Sequence, residues 1–424
     1  MAERKGGAGR VAITGIGMIT SLGRGVDANW PRLLAGDSGI HEITRFSTEG
    51  LRTKIAGTVD DLEIETASMP AISYGMADMA VAEAVGQSGF GDDGVFPGDL
   101  FVAAPPIEHD WVARQFLAEH CSPGETSPYA RRPIDTPDGS YFSYQEDFMN
   151  GTLADRLADK YGCSGSPITL TTACASGASA IQLGVEAVRR GERPAALCVG
   201  TDGSINEETL IRFALLSALS TKNDPPEKAA RPFSKNRDGF VMAEGAAALV
   251  LEDPEHAKAR GATILAYLLG CGEAADTFHR TRSNPNGRAI IRCIRGAIDD
   301  AGLSPTDIDY INAHGTGTSE NDKMEHFGIS EVFGDHKASL AVSSNKSMLG
   351  HTLTAAGAVE AVITVKTLAD GILPPTINYD EPDPAIELDV VPNQARKQQA
   401  TFALSNSFGF GGQNVSLLIG HPDA

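Results

Sequence analysis

A chain of 424 residues with 42% hydrophobic residues and 46 glycines can bury a large core and make many tight turns, as expected of an α/β globule of two or three domains. A formal charge of −20 argues against nucleic-acid binding, and no run approaches the roughly 18 apolar residues of a bilayer span. The six cysteines, at 121, 163, 174, 198, 271 and 293, form neither a C-x-x-C pair nor a metal-ligand spacing with histidine, so disulfide and zinc readings are weak and a reducing cytoplasm is expected.

The opening MAERKGGAGR runs into a strand-like Arg10–Met18 without a secretory apolar region. Prolines at 123, 128, 133 and 137 make the stretch around Glu125–Pro133 loop-like. The run Ile168–Ala173 predicts a buried strand, Cys174 an elbow, and Ala175–Ala180 with Ile181, Leu183, Val185 and Val188 a helix closed by Arg189, Arg190 and Gly191. Asp253–Gly261 is a candidate boundary between two parts, residues 1–260 and 261–424, each opening on a strand, the second over Ala262–Gly270. Strands Ile308–Ala313 and Leu340–Ser344 run into His314-Gly-Thr-Gly-Thr318 and into Asn345–His351, the latter followed by a helix from Ala355 to Ile363. Strands Thr401–Asn406 and Asn414–Ile419 flank Ser407-Phe-Gly-Phe-Gly-Gly-Gln413, where Phe410 is poorly placed for core packing and well placed to swing.

At a helix N-terminus, Cys174 would meet unpaired N–H groups and the positive dipole end, which lower a thiol pKa and make a nucleophile. The alternative is a buried inert thiol. His314 and His351 stand in loops after strands, where α/β proteins collect ligands, although either could be structural or solvated. One thiolate with two imidazoles suits acyl transfer on thioesters: the sulfur carries the acyl group while ring N–H donors hold an enolate oxygen. Lys346, if near His351 in space, biases that ring toward its neutral form; otherwise it is a solvated lysine.

The strings TTACASGAS, NAHGTGT, NKSMLGH and NSFGFGGQN, with Arg231–Glu252 and the N-terminal GRVAITGIGMITSLG, resemble the signatures of the β-ketoacyl-acyl carrier protein synthases, most closely the elongating type II class, over nearly the whole chain. The resemblance implies a duplicated thiolase-like fold of layered αβαβα architecture with mixed sheets, and a homodimer. It implies acyl and malonyl carrier protein as partners, with no cofactor and no metal. Cys174 matches the acylated nucleophile, His314 and His351 the pair that promotes malonyl decarboxylation, and Lys346 the lysine behind them. Asp322 and Glu360 match acids joining that lysine, or are surface carboxylates. Thr316 and Thr318 match hydroxyls binding the phosphopantetheine arm, or shape the turn. Phe410 matches the gating residue whose N–H, with that of Cys174, forms an oxyanion hole. Phe240 matches an aromatic on the malonyl side, and Phe213 falls on the acyl tunnel or in the core.

The chain departs from the pattern at the carrier docking surface. The family uses a basic patch on the helix corresponding to Thr66–Ala84, yet no lysine or arginine occurs from Ile55 to Ala113, and Ser217 replaces a common docking arginine. Arg131 and Arg132, in a segment from Pro105 to Gly139 longer than in ordinary relatives, are candidates for docking or for the tunnel mouth, unless the segment is a plain surface excursion. The expected reaction is decarboxylative extension of a fatty acyl chain by two carbons. The alternative is a specialised synthase for very-long-chain, lipid-A-type, signalling-lipid or polyketide chains. A thiolase would carry a second cysteine in the C-terminal GFGGQ loop, and a non-catalytic chain-length subunit would lack Cys174.

Overall fold

The computed structural model describes residues 9–62, 68–91, 94–106, 121–124, 127–133 and 146–424. Two runs of five strands, with the short strand Gly23–Arg24 paired to the first of them, build a mixed sheet of eleven strands. The first run is β1 Val11–Thr20, β2 Gly98–Ala103, β3 Ile168–Leu170, β4 Ala195–Asp202 and β5 Gly245–Glu252. The second is β6 Ala266–Ala275, β7 Tyr310–Asn312, β8 Ala341–Ser343, β9 Phe402–Phe408 and β10 Gln413–Gly420. Their spatial order is β8-β7-β9-β10-β6-β1-β5-β4-β2-β3, so from the middle outward each run reads first, fifth, fourth, second, third. The runs meet where Val11–Ile13 of β1 pairs antiparallel with Ala266–Leu268 of β6. In both, the inner strands are antiparallel and the outer three parallel.

Helices α1 Met69–Ser88, α2 Ser176–Arg190, α3 Glu207–Leu215, α4 Arg288–Asp300, α5 Ser319–Phe333 and α6 Ala356–Asp370 complete the framework. α1 covers β1, β4 and β5, and α4 covers β6 and β10, while α2 and α6 touch each other and strands of both runs. The result is five layers with α2 and α6 in the middle. Strands covered on both faces need apolar side chains at every position. In β5, Ala246, Ala248 and Val250 pack toward α1, and Ala247, Leu249 and Leu251 toward the central helices. α6 is buried on all sides from Ala356 to Val365, as an all-round apolar helix must be. Gly177 and Gly357 let the central helices touch: a Cβ would lie 2.6 Å from Ala358 N or 2.4 Å from Ala178 N.

Most expected elements are present with shifted ends. β3 differs in kind: it is the outermost strand of its run, and Ile168 is 45% exposed. Apolar content cannot by itself separate a covered strand from an edge strand. The stretch expected to be loop-like contains strands Cys121–Gly124 and Ser127–Pro133, paired antiparallel. The side chains of Arg131 and Arg132, and the rest of the segment from 107 onward, lie outside the described residues. No described helix is long and apolar enough to cross a membrane.

Candidate active site

Cys174 sits on a strained elbow. Ala173 takes a left-handed backbone, φ 50°, a conformation that persists only when its surroundings enforce it. Ser176 does so, its hydroxyl donating to the Ala173 carbonyl at 2.6 Å and accepting the Thr172 N–H at 2.7 Å. α2 starts at Ser176, so the sulfur precedes the first turn, and Gly191, φ 71°, ends the helix as expected. The neighbouring loop presses in at Gly409, where a Cβ would stand 2.8 Å from the Thr172 carbonyl oxygen.

The expected lowering of the thiol pKa is not what this environment produces. Burial pushes the Cys174 thiol up to about 11, against the Phe410 N–H directed at the sulfur and the Lys346 charge. Enclosure disfavours the thiolate more than those groups favour it. Alkylation of Cys174 by iodoacetamide should therefore climb with pH toward a midpoint near 11, above the ~8.5 of a free cysteine. A midpoint below 8 would mean that the helix terminus dominates.

Both histidines are buried and rigidly mounted. Glu325 accepts the backbone N–H groups of His314 and Gly315, at 2.8 and 2.7 Å, which shapes the turn after β7. The His351 backbone donates to the Val241 carbonyl and accepts from the Ala243 N–H. The two rings stand edge to face, centroids 5.3 Å apart, and Phe240 packs on His351 at 5.2 Å. The Cys174 sulfur and one nitrogen of each imidazole lie within 4.8 Å of one another. Such a set could ligate a metal, but the Leu353 N–H donates to His351 Nδ1 at 3.3 Å, which leaves the neutral ring its proton on Nε2. That atom is then a hydrogen-bond donor, not a ligand, and it has no acceptor among the described residues. Burial first, then the nearby Lys346 ammonium, hold both rings well below the ordinary histidine range, so both are neutral at pH 7.

Lys346, buried at the start of the one-turn helix Lys346–Leu349, pairs with buried Glu360. Desolvation pushes the Glu360 carboxyl up to about 7, with Lys346 opposing. The second expected acid is buried too, but its partners are different. Asp322 accepts the N–H groups of Phe233 and Gly317 and faces Arg237 at 3.7 Å, tying the glycine-rich loop to the Arg231–Glu252 stretch rather than to Lys346. Glu325 was not anticipated, although its place one helical turn after Asp322 in the helix following HGTGT was a usable signal. Asp202 was also missed. A carboxylate ending the apolar β4, it binds Ser204 and Thr354 beside the thiol. Thr316 and Thr318 hydrogen-bond each other at 2.9 Å, and Thr318 also caps α5.

Two cavities meet at the sulfur. One, about 60 Å³, is lined by His314, His351, Thr316, Thr318 and Phe240. The other, about 370 Å³, is lined by Phe213, Leu216, Leu353 and Met69 among others. Cys174 and Phe410 border both, so the Phe410 ring stands at their partition. Gly411 and Gly412 beyond it take left-handed φ values of 89° and 92°.

Comparison with known proteins agrees with this geometry. Residues 8–78 and 122–257 match the family model "Beta-ketoacyl synthase, N-terminal domain", and residues 265–380 match "Beta-ketoacyl synthase, C-terminal domain". A 3-oxoacyl-[acyl-carrier-protein] synthase 2 of Coxiella burnetii is 38% identical, covering 97% of this chain and 98% of its own. Among solved structures, the ishigamide ketosynthase/chain length factor superposes with TM-score 0.84 at 36% identity, over 97% of this chain and 99% of that one. A type II polyketide ketosynthase in complex with its acyl carrier protein, bound to the hexaketide, gives 0.84 at 32% with the same coverage. The chain belongs to the β-ketoacyl synthase family.

Proposed function

We propose that the protein is an elongating β-ketoacyl-acyl carrier protein synthase. The observation that carries this reading is the meeting of Cys174, His314 and His351 within 4.8 Å at the junction of two cavities. Cys174 displaces the carrier thiol from an acyl thioester, and the N–H groups of Cys174 and Phe410 hold the tetrahedral oxyanion. Malonyl carrier protein then enters the histidine side, its arm passing Thr316 and Thr318, with Phe240 beside the malonyl group. Loss of CO2 leaves an enolate whose oxygen is held by ring N–H donors of His314 and His351. The enolate carbon attacks the acyl carbonyl, and Cys174 leaves as thiolate and regains a proton. The acyl chain lies in the larger cavity along Phe213. Decarboxylation itself creates the nucleophile, so the reaction calls for no metal or redox cofactor.

The division at 260/261 is supported by the repeated strand order, a homodimer by the half-exposed edge strand β3, and a cytoplasmic location by cysteines that form no C-x-x-C pair. A specialised synthase with a dedicated carrier is the second reading, favoured by the absence of lysine and arginine from α1. Incubation with acyl carrier protein thioesters of increasing chain length should add the acyl mass to the Cys174 peptide, and malonyl carrier protein should then release CO2 and a product two carbons longer. Acylation elsewhere, or no CO2 release, would reject the reading.

A further inference from the structure

α1 offers an acidic partner little. It has no cation, carries Asp78 and Glu83, and exposes Ala82, Gly86 and Gln87. The nearest cations on the adjoining helix Thr152–Tyr161 are already paired, Lys160 with Asp78 and Arg156 with Asp147. The opposite situation holds at the mouth of the histidine cavity. His279, Arg280 and Arg282 line its mouth and are exposed, and the surface continues through Asp276 to Arg288 and Arg292 on α4. None of these four arginines makes an ion pair with a described carboxylate. The acids at the mouth are used internally: Asp276 accepts the N–H groups of Phe278 and Asn284, and Glu320 that of Ser283. These bonds brace the loop, and the Gly411 N–H donates to the Arg280 carbonyl at 2.7 Å, fixing it to the loop that carries Phe410.

In a chain of net charge −20, four unpaired arginines beside one cavity mouth form a local field of opposite sign, which steers an anionic partner to that opening. We infer that Arg280, Arg282, Arg288 and Arg292 form the docking surface for an acidic carrier protein, which delivers its arm into the histidine cavity from the α4 side instead of across α1. This inference rests on the catalytic reading above.

Acyl transfer to Cys174 is to be measured for the unaltered protein, for Arg280→Glu/Arg282→Glu and for Arg288→Glu/Arg292→Glu, with three hexanoyl donors: an acidic acyl carrier protein, phosphopantetheine and pantetheine. Each double reversal is expected to raise KM for the carrier protein on the order of tenfold, to leave pantetheine unchanged, and to flatten the salt dependence of carrier binding. An unchanged KM for the carrier overturns the inference. So does equal loss with pantetheine, which would mark damage to the fold or the chemistry, or loss with phosphopantetheine as large as with the carrier, which would mean a phosphate site only. Failure of all three donors to acylate the unaltered protein rejects the catalytic reading itself.

Discussion

Cys174→Ser is expected to abolish condensation, with a loss on the order of 10⁴-fold or more. The thiol is already held up to about 11, and a hydroxyl in the same seat is far more basic still. Nothing nearby takes its proton easily: burial and the Lys346 charge make both imidazoles weak bases, and His351 presents a ring N–H rather than a lone pair to the chamber. His351→Ala separates the two half-reactions. It should leave acyl-Cys174 accumulating while condensation falls by about 10²- to 10³-fold, the usual cost of one oxyanion donor. Intact-protein mass spectrometry with product quantitation reads both results. A serine variant retaining a tenth of the activity would remove the requirement for a thiol at this position.

Lys346→Met should be the most damaging single change to stability near the site, costing about 3–5 kcal/mol because it strands a buried partner. Glu360 already has its carboxyl raised to about 7, one oxygen has no hydrogen-bond partner among the described residues, and the ammonium favours its charge. Without Lys346 the folded-state pKa rises further, whereas the unfolded chain still releases the proton near its ordinary value. A raised folded pKa means that stability is lost as pH climbs between the two values, so the penalty should be larger at pH 8 than at pH 5.5. Adding Glu360→Leu should recover most of the stability but not the activity, since the cation behind both histidines stays absent. Urea unfolding of the three proteins at both pH values tests this; a penalty equal at the two would remove Glu360 from the explanation.

How legible the site was depended on the kind of question. Cys174, His314 and His351 could be found because each follows an apolar strand at a glycine- or small-residue loop, a local pattern. What surrounds them depends on three-dimensional enclosure. The thiol pKa came out opposite to expectation because helix position can be read from neighbours in the chain, whereas desolvation comes from segments distant in sequence that enclose the sulfur. Asp322 was grouped with Lys346 by resemblance, yet the fold sets its carboxylate against Arg237, a residue far from it in the chain. The strand order was hidden for a similar reason, since β1 and β6 pair across some 250 residues of chain.

The contact between Gly177 and Gly357 has one more consequence. Counting three residues back from each glycine reaches Cys174 in one half and Thr354 in the other, so the two occupy matching seats in a doubled framework. Only the first carries a thiol. The second donates its hydroxyl to the Thr201 carbonyl and its backbone N–H to Asp202, a strut between the two halves. The seat that holds sulfur in one half is scaffolding in the other.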